Sequence, residues 1–585
     1  MLLDSIYGPS DLKKLDIKRL PELASEIREI LMNRLSDIGG HVGPNLGMVE
    51  ATIAMHYVFN SPIDKMIFDV SHQCYVHKML TGRKDAYLNP DRYFEVTGFT
   101  EPRESVHDIF TIGHTSTSIS MACGIAKARD LVDGKENVIA IIGDGSLSGG
   151  EAYEGLNCAS MLGTNFIVLL NDNEMAISNV NGGLYPHLKE LRTSNGQCTS
   201  NIFKALGFDY IYIADGNDID TMIEAFTNVK DINHPIVLHI HTTKGKGYKI
   251  AEKNKEGWHY HQAFNRETGE YKQKWQGLNI HAMLGDHLLE KMEKDPRVIA
   301  MAAAVPAAIG FNYPEKRKKA GKQFIDVDIA EQHLISMAAG IAKNGGKPVV
   351  GSDSTFFQRA YDQIAQDVCI NKAPVTILTR NGSVWGATDV THLGWFDLPL
   401  FGNIPNLVLL CPTNVEEYFA MVDWSIDQNE YPVMIKVPRN GDYHAIGDVQ
   451  KDYSILNTNL VTRKGSQIAI FALGNFYSVG VELADLIKAN LNLSVTLINP
   501  RYASGLDYEL LENLKLKHQI IVTIEDGIIE GGYGQKISSY YGSSDIKVIN
   551  FGLKKEFIDG KKSTDIMEEN AITPKLIFDN ISSLL

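Results

Sequence analysis

Two tripeptides, Gly143-Asp144-Gly145 and Asn171-Asp172-Asn173, place hard oxygen ligands at a spacing suited to one divalent metal and a diphosphate. Each follows a short run of Ile, Val and Leu, at 138–142 and 166–170, of the kind that forms a buried parallel strand. Residues 151–161 between them can form a helix, which makes the stretch a strand–helix–strand unit with two polar carboxyl ends. Ligands of open α/β sheets bind outside such ends. Asp144, Asn173 and a nearby backbone carbonyl, for which Met175 would serve, are the oxygen donors Mg²⁺ prefers, with positions left for two phosphate oxygens. The glycines beside Asp144 let the backbone approach a phosphate closely. A lone GDG is an ordinary turn; the second strand end makes the pair a candidate site.

The rest of the chain must position that stretch. Residues 20–38 are an expected amphipathic helix with Pro21 in its first turn. It runs into a Gly- and Pro-rich loop, 39–47, that presents His41. A helix is expected over 48–58, then a strand over 65–70, and His72 lies just past its end. Gly113-His114-Thr115 lies in a Ser/Thr-rich turn that opens an Ala-rich helix over 119–131; free N–H groups there suit an anion or plain capping. The polar segment 179–201 is expected as a mobile loop beside the site. A strand over 235–241 ends in a Gly/Lys loop that carries Tyr248. Polar stretches at 262–278 and 440–464 are the expected interdomain linkers. A second α/β unit carries Glu331 at the start of a helix after a strand (323–329). It also carries Phe356 in the turn after a strand beginning at 349, Arg380 at the end of 375–379, His392 in the following loop, and Arg439 after 433–437. A third α/β unit runs from 466 to the end and shows no catalytic constellation.

At 585 residues, with 44% hydrophobic and 22% charged side chains, the chain can bury several cores. A net charge of −15 without a basic stretch argues against nucleic acid and anionic membranes as partners. Any anionic substrate must therefore meet local cations or a metal. Six scattered cysteines with no CxxC point to a reducing compartment and no zinc site. No signal peptide or membrane span is expected, and the expected location is cytoplasmic.

Ten motifs together resemble the 1-deoxy-D-xylulose-5-phosphate synthase family, thiamine-diphosphate enzymes of the transketolase superfamily. They are GGH (39–41), DVSHQCYVHKMLTGR (69–83), GHTSTSIS (113–120), GDGSLSGG (143–150), NDNEMAIS (171–178), TTKGKGY (242–248), AEQH (330–333), STFFQRAYDQ (354–363), THLG (391–394) and PR (438–439). The resemblance implies an α/β, transketolase-like fold of three domains, each a mainly parallel sheet flanked by helices. The expected bounds are 1–278 for the diphosphate and Mg²⁺ domain, 279–445 for the pyrimidine-binding domain and 455–585 for the C-terminal domain. It implies small-molecule substrates, with pyruvate decarboxylated and condensed with D-glyceraldehyde 3-phosphate, a homodimer, and a place in isoprenoid, thiamine and pyridoxal biosynthesis. Asp144, Asn173 and the Met175 carbonyl would hold Mg²⁺. His72, Gly113, His114, Thr115, Gly145, Ser146 and Tyr248 would line the cofactor, with Phe356 on its pyrimidine and Glu331 on a pyrimidine nitrogen. His41, His259 and His392 would move protons or bind hydroxyls. Arg380 and Arg439 would grip the acceptor phosphate.

Four departures fall on the substrate side. Gly43-Pro44 replace a usual Ala-Ser, Asp353 replaces a Tyr, the loop after Arg380 is one residue longer with Thr388 where an Asp is expected, and the 179–201 segment is short. Asp353 would repel a phosphate unless Arg359 or Arg380 neutralises it. A related transketolase-like enzyme with another donor or acceptor is the alternative. No GxGxxG followed by a suitably spaced acid supports a nicotinamide enzyme.

Overall fold

The computed structural model describes residues 1–175, 182–273, 277–439, 444 and 449–582. The chain forms two compact units, Met1–Trp275 with Asp328–Ala330, and Gln276–Val327 with Glu331–Leu585.

The first unit is built on five parallel strands: β1 (Lys65–Phe68), β2 (Val138–Gly143), β3 (Phe166–Asp172), β4 (Asp209–Ile213) and β5 (Pro235–His241), in the order β1-β2-β3-β5-β4. Because successive side chains face opposite ways, Ile139, Ile141, Ile167 and Leu169 enter one core, and Val138, Ala140, Val168 and Leu170 the other. Both faces are covered, as parallel sheets require. The helix Leu20–Ile38 matches its expected span.

Three expectations change here. The 39–47 loop contains a short buried helix, Val42–Gly47. Within 179–201, the described residues include a helix, Leu184–Thr193, because Tyr185, Leu188 and Leu191 fall on one face and are buried; residues 179–181 lie outside the described set, as do 176–178 of the NDN motif. The first expected linker is in part packed structure: Phe264 is fully buried and Phe264 and Tyr271 form an antiparallel bridge.

The second unit carries two sheets. In one, β6 (Val298–Ala302), β7 (Phe324–Asp326), β8 (Lys347–Asp353), β9 (Thr376–Arg380), β10 (Val408–Leu410) and β11 (Val433–Lys436) run parallel in the order β10-β11-β9-β8-β6-β7. In the other, β12 (Leu460–Arg463), β13 (Gln467–Ala472), β14 (Thr496–Asn499), β15 (His518–Ile528) and β16 (Lys547–Leu553) take the order β12-β14-β13-β15-β16, with only β12 antiparallel. One core joins them: Met434 of β11 and Ala469 and Phe471 of β13 belong to the same cluster. Of the second expected linker, residues 440–443 and 445–448 lie outside the described residues; Tyr453 is fully buried and the far end forms β12.

The burial of Phe264 separates a packed segment from a linker. Phe264→Ala should cost about 3–5 kcal/mol of stability in the first unit, the usual cost of emptying a buried aromatic site. Denaturant unfolding followed by hydrogen exchange reads this, and an unchanged profile would show that the segment is a linker after all.

Candidate active site

β2 and β3 are neighbours in register, with Gly143 opposite Asn171, so their carboxyl ends lie side by side. Asp144 follows β2 and is 1% exposed. Its carboxylate accepts the N–H of Gly145 at 3.0 Å and that of Met175 at 3.1 Å, which ties the two strand ends together. Burial, and then the neighbouring Asp172, push the Asp144 carboxyl well above the usual range, while Lys244 opposes them. Asn173 Oδ1 is buried and has no hydrogen-bond partner. A buried acid lacking enough positive charge, an unused amide oxygen and the adjacent Met175 backbone are the donors Mg²⁺ takes. The residues present fit a metal-bound diphosphate.

Asp172, between those ligands, is committed elsewhere. It accepts His239 Nε2 at 3.0 Å and pairs with Arg192, which also reaches Glu174 at 3.2 Å. Burial works against the Asp172 charge, but His239 and Arg192 outweigh it and hold the carboxyl at about 2. The NDN turn is thus braced on both sides of Asn173. Lys244 is buried too, which lowers its ammonium to about 8 although Asp144 supports the charge.

His41, His72 and His259 come together. Their ring centroids are 5.0 Å (His41–His72), 5.1 Å (His72–His259) and 5.7 Å (His41–His259) apart. Asn45, fully buried, holds two of them: its amide donates to the carbonyls of His41 at 2.7 Å and His72 at 2.8 Å, and its oxygen accepts Tyr75 N–H. Sequence reading missed Asn45; a polar side chain inside a Gly-rich loop was the available signal. Burial pushes His259 well below the ordinary histidine range, and Lys244, His72 and His41 add to it. Gly43 leaves no room for a methyl group, since a Cβ there would stand 2.9 Å from the Trp258 carbonyl oxygen and 3.1 Å from Lys244 Cγ.

Gly113, His114 and Thr115 are brought to the Gly145-Ser146 turn by two contacts. Ser116 Oγ donates to the Ser146 carbonyl at 2.8 Å. Asp69, buried just after β1, accepts the N–H groups of Ser116 at 2.7 Å and Ser118 at 3.0 Å, fixing the start of the helix Ser118–Asp130. Tyr248 does not join this group through any described contact. Its hydroxyl donates to the Arg266 carbonyl and its ring packs on Trp258 and Phe264, so its surroundings are a separate aromatic cluster.

In the second unit, Glu331 opens the helix Glu331–Lys343 and is 4% exposed. Burial raises its carboxyl above the ordinary value; Arg359, 3.8 Å from Oε2, opposes that. Phe356 and His392 meet edge to face at 5.6 Å, and Asp389 Oδ1 lies 2.9 Å from His392 Nδ1. Asp353 and Arg380 end the paired strands β8 and β9 opposite each other and form an ion pair. Arg380, rather than Arg359, is therefore the cation that neutralises Asp353. Arg439 follows β11, and its guanidinium lies 4.0 Å from the Trp385 ring centroid.

The family matches define the class, a thiamine-diphosphate enzyme of the transketolase type. Residues 276–441 match the transketolase pyrimidine-binding domain and 458–575 the transketolase C-terminal domain. Residues 3–198 and 194–242 match the family described as 1-deoxy-D-xylulose-5-phosphate synthase. The enzymes of that name from Caldanaerobacter subterraneus subsp. tengcongensis and Alkaliphilus oremlandii are 38% and 39% identical to this chain, each over 99% of it and 98% of the relative. That of Carboxydothermus hydrogenoformans is 36% identical over 100% of this chain and 99% of its own. The chain belongs to the 1-deoxy-D-xylulose-5-phosphate synthase family. Among solved structures, transketolase from Campylobacter jejuni is similar at a TM-score of 0.44 and 17% identity, over 97% of this chain and 100% of that one.

Removing Asp144 tests the metal turn. Thiamine diphosphate with Mg²⁺ should raise the melting temperature of the wild type, and Asp144→Ala should abolish that rise, as should a chelator. A full thermal shift in the variant would show that the metal is held elsewhere.

Proposed function

We infer that this chain decarboxylates pyruvate and joins the two-carbon unit to D-glyceraldehyde 3-phosphate, forming 1-deoxy-D-xylulose 5-phosphate and CO₂, with thiamine diphosphate and Mg²⁺ as cofactors. The observation that carries this reading is the buried Asp144 carboxylate beside the unpartnered Asn173 oxygen. Product analysis after incubation with both substrates tests it; consumption of a different donor or acceptor in preference would replace it with the alternative transketolase-like activity.

Thiamine diphosphate, when bound, supplies the electron sink that lets a 2-oxo acid lose CO₂. The protein's own residues take the following parts in this proposal. Asp144, Asn173 and the Met175 carbonyl hold the metal, and the backbone of Gly145 and Ser146 and the 113–115 turn meet the diphosphate. Glu331, its carboxyl raised above the ordinary value by burial and opposed in this by Arg359, hydrogen-bonds the pyrimidine ring, and Phe356 packs against that ring. His41, His72 and His259 pack on one another, burial holds His259 well below the ordinary histidine range, and the three can accept a proton from, or donate an N–H to, substrate oxygens. His392 serves in the same way, oriented by Asp389. Arg439 anchors the acceptor phosphate, with Arg380 as its shared or weakened partner. Family membership supports a homodimer, which sedimentation would read. The six free cysteines support a reducing, cytoplasmic setting; among the described residues no helix is long and apolar enough to cross a membrane.

Glu331→Gln should keep metal-dependent cofactor binding but slow exchange of the cofactor's ring proton by roughly 10²–10⁴-fold, the usual worth of a positioned acid. Because burial raises the Glu331 pKa, its acid form persists to higher pH than that of an exposed glutamate, and the wild-type exchange rate should fall as pH rises through that raised value. Wild-type exchange in the variant at every pH would remove Glu331 from this role.

Asp353 should weaken the acceptor site, because it spends part of the Arg380 charge. Asp353→Asn should lower KM for glyceraldehyde 3-phosphate by about tenfold, the worth of one charge-assisted hydrogen bond, and leave pyruvate KM nearly unchanged. Steady-state kinetics with phosphorylated and unphosphorylated glyceraldehyde measures it. A weaker phosphorylated acceptor in the variant would show that the pair supports binding instead.

A further inference from the structure

The third sheet has no catalytic cluster of its own, yet it ends against the segments that carry His392 and Arg439. Asp526, near the end of β15, is 2% exposed. Its Oδ1 accepts the N–H of Val384, in the loop between β9 and His392, at 3.2 Å. Its Oδ2 accepts the side-chain amide of Asn475 at 2.9 Å. The same Asn475 turns its oxygen to the backbone N–H of Arg439 at 3.1 Å. The Asp526 carbonyl accepts Lys436 Nζ, from the last residue of β11, at 3.2 Å, and Lys436 also binds Asp397 at 2.8 Å. Stacking follows the same path: Arg439 lies over Trp385, which meets Phe476 edge to face at 5.3 Å. The lengthened loop is tied to the third sheet's side again, where Thr388 accepts the Gly560 N–H at 2.9 Å and Val384 accepts Ser563 Oγ at 2.8 Å.

We propose that Asp526 and Asn475 are positioning residues for the acceptor site, setting through hydrogen bonds the backbone of Arg439 and the loop that carries Trp385 and His392. This rests on the reading of Arg439 as the phosphate anchor. The logic is one of directed donors and acceptors. Val384 N–H and the Asn475 amide donate to different oxygens of Asp526, so the residue between them must accept at both terminal atoms, which a carboxylate does and an amide does not. In Asp526→Asn one of the two contacts meets an N–H instead of an oxygen. If Asn475 flips to satisfy it, its NH₂ faces the Arg439 N–H, and the fault passes to Arg439. A buried donor without an acceptor is costly, so the segment shifts. The change is local to the acceptor side, since no contact in this chain of bonds reaches Glu331 or the Asp144 turn.

The test compares Asp526→Asn, Asn475→Ala and Arg439→Ala with wild type in the full-length holoenzyme. Expected for the first two is a rise in KM for glyceraldehyde 3-phosphate of about tenfold, as for a lost buried hydrogen bond, with little change for unphosphorylated glyceraldehyde. Pyruvate KM, cofactor ring-proton exchange and cofactor affinity should stay at wild-type values, which a general loss of structure would not allow. Asn475→Ala keeps the Asp526 charge and so decides the matter if Asp526→Asn folds poorly. If Arg439→Ala raises that KM and neither of the other variants does, or if they lower every parameter together, the positioning role is overturned. If Arg439→Ala leaves KM unchanged, the phosphate-anchor reading fails and takes this inference with it.

Discussion

A carboxylate taken out of water at the end of a parallel strand sets the terms for the first unit. Asp144 is buried next to a second buried acid, and an arrangement with two negative charges and no cation would be prohibitively unfavourable. The chain resolves this asymmetrically. Asp172 receives His239 and Arg192 and is satisfied as an ion. Asp144 receives two backbone N–H groups and the more distant help of Lys244, which leaves it short of positive charge. A divalent metal held there would offset that shortfall. Asn173, rather than Asp172, has an oxygen to spare, and Arg192 pairs with the residues on either side of it, which fixes the direction of the turn.

Placement of the polar residues follows from the sheets. Parallel strands with apolar side chains on both faces must be covered by helices, so chemistry is pushed to the strand ends, where Gly143, Asp172, Asp353, Arg380 and Lys436 all lie. Neighbouring strand ends then interact by construction. The Asp353–Arg380 pair is one outcome of register in adjacent strands, and the Met175–Asp144 contact is another.

Much of this was legible before the coordinates. Runs of Ile, Val and Leu marked β2, β3, β5, β9 and β11 because fully buried parallel strands need little else. The spacing of GDG and NDN marks two strand ends that the sheet sets side by side. What stayed hidden depends on tertiary partners. Asn45 reads as one polar residue in a loop until its amide is seen between two histidine carbonyls. The helix Leu184–Thr193 was read as loop because its polar face dominates its composition, while Tyr185, Leu188 and Leu191 supply a narrow apolar stripe. Tyr248 sits in a motif that points to the cofactor, and its ring contact with Trp258 is not legible from that motif. Asp526 lies in a strand with no neighbouring catalytic type, and its partners are about 50 and 140 positions away in the chain.

The departures from the family pattern make one physical picture. Gly43 gives Lys244 the space to lie against the Val42–Gly47 helix, so the smaller side chain and the buried cation belong together. Asp353 spends charge that Arg380 would otherwise offer, while Trp385, in the lengthened loop, holds Arg439 by its ring face. The loop after Arg380 is anchored at Gly560 and Asp559. None of the departures falls on Asp144, Asn173 or Glu331. A chain that had lost catalysis would have no reason to keep a buried, undercompensated acid, since replacing it would relieve a standing electrostatic cost.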